Sequence, residues 1–341
     1  MTSMSLVSSE SGKHRHRAIV LTYGLKMTGN RSQSSGGKDM ITDNLAYILI
    51  TPARNEAKFI ELTIKSVVGQ TIRPAKWVVV SDGSTDGTDD IVRKYAAQHK
   101  WIEFVRVPER TERHFAGKVD AFNAGYARVK TFEYGVIGNL DADISFDEDY
   151  IEFLLSKFAE NPRLGVAGTP YREENPGHDE QFKSPDHVSG ACQMFRRKCF
   201  EEIGGYPAVR SGGIDLIALL TAQAKGWQTR RFEEKVCFHH RTVGSGMHAG
   251  TYQRLLNLGK KDYLLGSHPI FEIFRSAYKM KSRPYVMGGV LMLIGYMWAM
   301  VRRVERSMPE ELIVLRRTDQ MKRLTSTLRL TRHRTTVRAR F

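Results

Sequence analysis

Residues 138–146 read "GNLDADISF", and the fold turns on how this stretch is understood. Before it, Val136, Ile137 and Leu140 sit among glycines as in a short interior strand, so Asp141 and Asp143 fall at or just past the strand's C-terminal end. In open α/β sheets that edge is where ligands bind. Two carboxylates one residue apart each raise the cost of ionising the other. A divalent cation would relieve the repulsion, although an N-cap or an ordinary acidic turn has the same local pattern.

Outward from that stretch, apolar runs alternate with helical patterns. "AYILIT", "KWVVV", "WIEFVRV" and "YGVIGNL" read as strands. Between them, Asn55–Gly69, Ile91–His99 and Lys118–Val129 read as helices, with Thr88 placed to cap the second and Asp89 and Asp90 in its first turn. Strand and helix alternating four times predicts βαβ units, hence an α/β fold with a mostly parallel, Rossmann-like sheet flanked by helices. Further on, Tyr150–Phe158, Arg197–Ile203 and Ile214–Lys225 are helical in pattern, "LGVAG" is strand-like, and "VSGACQMF" is a strand or turn. Tyr171–Asp186 reads as a mobile polar loop. Residues 1–44, rich in Ser, Gly, Lys and Arg, read as a disordered basic leader. Residues 45–265 then form the globular domain and 266–341 a basic, partly apolar helical region.

The 341-residue chain carries 41% hydrophobic and 26% charged residues, ordinary for a globular protein. Its three cysteines lack paired metal-ligand spacing, which argues against a disulfide framework and fits a reducing compartment. "AIVLTYGLKM" near the N-terminus lacks the compact apolar core of a secretory signal. The net charge of +15 is concentrated at the C-terminus, where Arg316–Phe341 holds nine Lys or Arg against Asp319 alone. Such a run suits polyanions. Nucleic acid would want aromatics interleaved with the cations, and only Phe341 is there, so anionic lipid ranks above nucleic acid and no nucleic-acid partner is expected.

Two other strand ends carry carboxylates over the same sheet edge: Glu56 in "TPARNE" and Asp82 in "SDGSTDGT". Each alone reads as a turn or cap, but three in register along one edge form a site able to accept hydrogen bonds from ribose hydroxyls or base N–H groups. In "GGIDLIALL", Asp215 stands at the mouth of an otherwise apolar helix, a position that suits a general base as well as a dipole partner. In "HHR", His239 or His240 can ligate a metal and Arg241 can meet a phosphate.

Taken in order, "ITPARNE", "VVVSDGSTDGT", the set Gly117, Lys118, Asn123 and Gly125, "NLDAD", "FRRKCFEEIGGYP" and "GGIDLIALLTAQAKGWQ" resemble family 2 glycosyltransferases, over roughly Ala46–Arg241. The resemblance implies a GT-A fold, a nucleotide-diphosphate sugar donor, Mg²⁺ or Mn²⁺ on the diphosphate, and inversion at the anomeric carbon. It places Glu56, Asp82, Lys118 and Asp141 on the substrate, with Asp141 toward the ribose. It puts Asp143 on the metal with His239 or His240, and makes Asp215 the base that deprotonates an acceptor hydroxyl. Where many members have a glutamate before that aspartate, this chain has Ile214. The implied acceptor is a lipid-linked or cell-envelope/exopolysaccharide glycan. Processive relatives usually carry Gln-x-x-Arg-Trp after the catalytic aspartate; "QTRRF" at 228–232 has phenylalanine there and lies too close to Asp215, so transfer of one sugar or a few is expected.

Among rivals, a dehydrogenase finds only "GSGMHA" at 244–249, with no βαβ unit after it, and a sugar-nucleotide pyrophosphorylase would need a Gly-rich loop where "TPARNE" stands. A non-catalytic nucleotide-sugar or carbohydrate-binding protein is the alternative from another class. Tyr285–Val301, seventeen residues without a charge, is about 25 Å long as a helix, short of a ~30 Å hydrocarbon core. With Lys279, Lys281 and Arg283 before it and Arg302, Arg303 and Arg306 after it, the segment is expected to lie in or on the cytoplasmic leaflet, its flanks held by anionic lipid, the alternatives being a buried helix packed on the catalytic domain and a single span.

Overall fold

A computed structural model describes residues 45–108, 115–173, 184–209, 211–241 and 250–338. The expected leader, most of the polar loop after Tyr171 and the string "GSGMHA" lie outside them.

The first apolar runs become β1 (Tyr47–Ala53), β2 (Lys76–Asp82), β3 (Ile102–Val107) and β4 (Val136–Leu140). They belong to a seven-stranded sheet of order β3-β2-β1-β4-β8-β6-β9, completed by β6 (Leu164–Gly168), β8 (Cys192–Arg196) and β9 (Gln228–Arg231). β1 is near-continuously apolar because it pairs in parallel with β2 on one side and β4 on the other and is covered on both faces. Successive residues supply the two faces. Leu49, Trp77 and Val79 pack under α1 (Ile60–Val68) and α4 (Tyr150–Glu160); Ile48, Ile50, Val78 and Val80 belong to the cluster under α3 (Phe115–Val129), α5 (Arg197–Glu202) and α6 (Ile214–Ala224). The expected mostly parallel α/β architecture is present. One strand departs from it: β8 runs antiparallel between β4 and β6.

Chain order runs outward from β1 to β3, then returns to β4 on β1's other side. That reversal is the topological switch point, and crevices open above strand ends there. It gathers Arg54 after β1, Asp82 ending β2 and Asp141 after β4. A small second sheet, β5-β10-β7, lies beyond this edge and includes β5 (Ile144–Ser145), β7 (Tyr171–Arg172) and β10 (Cys237–His239).

Thr88 does not cap α2 (Thr88–Gln98). Gly87, at φ 92°, is the cap and Thr88 is the first helical residue. The Thr88 hydroxyl is drawn elsewhere: it donates to the Asp86 carboxylate and accepts from the Glu56 backbone N–H at 2.8 Å.

The C-terminal region is helical: α7 (Thr251–Leu264), α8 (Pro269–Lys279), α9 (Tyr285–Val301) and α10 (Glu310–Arg338). The start of the basic run is structural. Leu312 and Ile313 pack with Ile217 and Leu220 of α6. Arg316 and Arg317 donate to the carbonyls of Leu265 and Gly266 at 2.6 and 3.1 Å, neutralising the negative end of α7. No helix among the described residues is long and apolar enough to cross a membrane. α9 meets its neighbours through glycine: a Cβ on Gly289 or Gly295 would fall 2.1 Å from a carbonyl oxygen of Ser276 or Leu256, and one on Gly259 would fall 1.8 Å from that of Met292. Met292 and Tyr296 of α9 are buried, whereas Val286, Met287, Ile294, Trp298 and Val301 face outward and are 49–74% exposed.

Beneath these helices Glu272 is fully buried. Burial, then the nearby Asp262 carboxylate, push its pKa up to about 8, against the partial relief of Arg275 and Arg316. Between the ordinary value of 4.5 and about 8 the native protein therefore holds a proton that the unfolded chain has lost. Stability contributed by this group is complete below that window and falls by up to about 1.4 kcal/mol per pH unit as pH rises through it. Glu272→Gln should flatten the fall of Tm over that range, as measured by melts at stepped pH. A variant as pH-dependent as the wild type would show that another group titrates.

Candidate active site

The turn after β1 and the loop after β2 are tied together through side chains. Asn55, at φ 56°, accepts from the Thr85 N–H at 2.9 Å, and its own N–H donates to Ser84 Oγ at 3.1 Å. The Ala57 N–H donates to Asp86 at 3.0 Å. Glu56 and Asp82 are thus fixed on adjacent strand ends, where the sequence puts them. Arg54 Nη1 lies 3.5 Å from Asp82 Oδ2.

Asp141 leaves β4 with its N–H donating to the Ala191 carbonyl at 2.8 Å, and its carboxylate is paired with Lys118 from α3. Burial lowers the Lys118 pKa, but Asp141, then Asp215 and Asp143, more than offset this and the net direction is up. Lys118 is therefore a fixed positive charge between the strand-end aspartates and α6.

β5 and β10 pair antiparallel with His239 opposite Ile144, and the His240 N–H donates to the Asp143 carbonyl at 2.9 Å. This register places His239 against the acidic pair. Its Nε2 lies 3.5 Å from Asp143 Oδ1, while its Nδ1 is bonded to the Arg241 carbonyl, which fixes the ring and turns Nε2 inward. Ligand atoms of Asp141, Asp143 and His239 all lie within 4.8 Å of one another. His240 is not in this group: its Nε2 bonds Ser145 Oγ at 2.8 Å and its ring stacks on Phe59. Of the two histidines that the sequence leaves equal, His239 is the one brought beside the acidic pair.

Burial, and then Asp141, raise the Asp143 pKa above the usual carboxylate range, while His239, Arg241 and Lys118 pull it back. Two carboxylates and an imidazole at this spacing, with the buried carboxyl resisting ionisation, fit a divalent cation: hard oxygen donors with one borderline nitrogen, and charge in want of neutralisation. Arg241 bridges Glu56 and Asp143, paired with the first and with its Nε 3.4 Å from Asp143 Oδ2.

Asp215 lies in the first turn of α6, behind Gly213 at φ 81°. Gly190 lies directly against it: a Cβ there would come within 3.1 Å of Asp215 Oδ2. Gln193 Nε2 approaches the Asp215 carbonyl at 3.4 Å and is itself held by Tyr206, whose hydroxyl donates to Gln193 Oε1 at 2.8 Å. Sequence reasoning passed over Gly190, Gln193 and Tyr206; the glycine in "VSGACQMF" was the available signal. Asn139 was also missed, and its side chain ties β4 to the Gly190 carbonyl at 2.7 Å. A cavity of about 2040 Å³ is lined by Glu56, Asp82, Lys118, Asp141, Asp143, Asp215 and His239 together.

Residues 48–185 match the family described as "Glycosyl transferase family 2". The chain is 31% identical over 134 residues to the poly-beta-1,6-N-acetyl-D-glucosamine synthase of Staphylococcus aureus (strain COL), 39% of this chain and 30% of that protein. It is 28% identical over 142 residues to the synthase of the same name from Staphylococcus epidermidis, 41% and 32% of the two chains. The match thus spans less than a third of these relatives' own length. Among solved structures, the Pyrobaculum calidifontis mannosyltransferase in complex with GDP-Man and Mn²⁺ superposes with a TM-score of 0.52 at 18% identity, over 77% of this chain and 76% of that one. GalNAc-T7 with UDP, GalNAc and Mn²⁺ gives 0.50 at 12%, over 78% and 55%. At such identity the likeness is one of fold. The sheet, the acidic strand ends and these matches agree: residues 48–185 match glycosyl transferase family 2, and the fold is GT-A.

Proposed function

We propose that the protein is an inverting, divalent-metal-dependent glycosyltransferase that moves a sugar from a nucleotide-diphosphate donor to a hydroxyl of a lipid-linked or cell-envelope glycan. The observation that carries this reading is the meeting of Asp141, Asp143 and His239 at the sheet's switch point with Asp215 in the same cavity. Glu56 and Asp82 hold the nucleoside, Asp141 sits toward the ribose, and Arg241 stands at the phosphate end. Asp143 and His239, with Asp141 beside them, would hold Mg²⁺ or Mn²⁺, which when bound neutralises charge on the leaving diphosphate. Lys118, paired with Asp141, holds that carboxylate in place. Asp215 takes the proton from the acceptor hydroxyl as its oxygen bonds to the anomeric carbon and the bond to the β-phosphate oxygen breaks on the opposite face. Transfer stops after one sugar or a few: the Gln-x-x-Arg-Trp motif of processive relatives is not matched by "QTRRF", whose Phe232 packs edge-on to Phe153 at 6.0 Å.

The test is a panel of nucleotide sugars scored by thermal melt with and without Mn²⁺. A donor present at about 100 times its Kd should stabilise the native state by about 2.7 kcal/mol, only with the metal. Absence of any stabilising nucleotide sugar would remove the reading.

The same proposal places the enzyme on the cytoplasmic face of the membrane. The outward side of α9 is a strip of exposed Val, Met, Ile and Trp, continued by Ile270 and Ile273 of α8 and flanked by Lys281, Arg283, Arg302 and Arg303. An apolar strip between cations matches an anionic bilayer surface, where each Lys or Arg adds about 1 kcal/mol. The protein should sediment with phosphatidylglycerol-containing vesicles at low salt, and Val286→Glu with Trp298→Glu should leave it in the supernatant. Equal sedimentation of this variant would show that α9 is not the contact.

A further inference from the structure

The cavity above the sheet has two walls of opposite charge. Among the described residues, the wall built by the catalytic sheet and its helices, up to His239, carries eight Asp or Glu against four Lys or Arg. The wall built by α7 to α10 carries nine Lys or Arg against two Asp. An acid-rich wall needs a cation to receive a diphosphate; a cationic wall takes one directly.

The cationic wall is built rather than incidental. Arg316 is held by the Leu265 carbonyl at 2.6 Å and lies 3.5 Å from Asp262 Oδ1, and Arg275 pairs with the other oxygen of the same buried carboxylate. The wall reaches Asp215 because α6 and the end of α7 abut: a Cβ on Gly213 would lie 2.6 Å from Leu265 Cδ1. At its far rim stand Lys279 and Arg283. Immediately past them, Tyr285, Val286 and Met287 begin the exposed apolar strip of α9.

We infer that the wall of Arg254, Arg275, Arg316, Lys279 and Arg283 is a metal-independent binding site for a phosphate or diphosphate on the acceptor, placed so that the acceptor's hydroxyl reaches Asp215. The inference deepens the glycosyltransferase reading and rests on Asp215 being the base of that reaction. Donor and acceptor phosphates are then sorted by mechanism of neutralisation: the donor goes to the acidic wall through a cation, the acceptor to the basic wall through guanidinium and ammonium groups. The rim's change from cationic to apolar favours an acceptor whose diphosphate is joined to a hydrocarbon chain, which would leave the cavity over Tyr285 and Val286.

The test uses the full chain with EDTA present, so that metal-dependent binding at the acidic wall is silent, and reads binding of geranyl diphosphate and of inorganic pyrophosphate by calorimetry. Geranyl diphosphate should bind, and Lys279→Ala with Arg283→Ala should weaken it at least tenfold. These two side chains are exposed or half-exposed, and an unchanged Tm will show that the variant folds. Asp143→Ala should leave geranyl diphosphate binding intact. Geranyl diphosphate binding at least tenfold tighter than pyrophosphate supports a lipid-linked acceptor; equal affinities support a soluble phosphorylated one, the anion site standing in either case. No binding of either probe, or binding indifferent to the rim substitutions, overturns the inference. A separate arm with Mn²⁺ and nucleotide sugar keeps the two readings apart: failure there removes the glycosyltransferase assignment, whereas failure only in EDTA removes the anion site alone.

Discussion

Asp215→Asn will leave nucleotide-sugar affinity essentially unchanged and lower turnover by about 10²-fold or more, the usual loss when a general base is removed. Asparagine has nearly the volume of aspartate, so the tight contact with Gly190, where a Cβ would already crowd Asp215, is preserved. Only the capacity to take a proton disappears. The donor groups on β1, β2 and β4 do not depend on α6, which is why affinity and turnover should separate. Single-turnover transfer to the true acceptor, run beside a donor titration, makes the comparison. Wild-type turnover in the variant would mean that another group takes the proton and that Asp215 is a helix-dipole partner only.

Asp143→Ala should act on the opposite side of that division. It removes a carboxylate from the three-residue group and leaves Asp141 and His239 unable to close around a cation. Stabilisation by donor plus Mn²⁺ should fall to the level seen without metal, with activity lost in proportion. The metal-free protein should not be weakened to match, because Asp143 is a buried carboxyl already resisting ionisation beside Asp141. Melts with and without Mn²⁺ therefore separate a lost metal site from a lost fold. Undiminished metal-dependent stabilisation would move the cation elsewhere.

The strands nearest the site were legible because burial on both faces leaves no room for polar residues, and a run such as "ILIT" or "VVV" belongs in a sheet interior. The acidic strand ends were legible for the same reason: a carboxylate directly after such a run has to emerge at the sheet edge. What escaped the sequence depends on partners distant along the chain. β8 turns antiparallel between β4 and β6, so Gly190 arrives beneath Asp215 from a segment whose local pattern says only strand or turn. His239 and His240 have equal claims in sequence. The Arg241 carbonyl and Ser145 Oγ separate them, and neither contact leaves a trace in spacing. Arg316 and Arg317 read in the sequence as part of a polyanion-binding run because the carbonyls that receive them end a helix some fifty residues earlier.

The glycine seam of α9 has its own consequence. An ordinary amphipathic helix is anchored by the bulk of its inward side chains, so its exposed residues are free to be polar. α9 buries Met292 and Tyr296, but backbone approach at Gly259, Gly289 and Gly295 seats the rest of its inner face, so Val286, Met287, Ile294, Trp298 and Val301 stay outside and take no part in the attachment. Attachment and surface chemistry are thereby decoupled. The outward residues can be exchanged one by one, for Lys, Glu or Ser, without disturbing how the helix is seated. The same helix could be retuned from greasy to fully water-compatible as a modular outer coat, whereas a single methyl group added along the seam would unseat it.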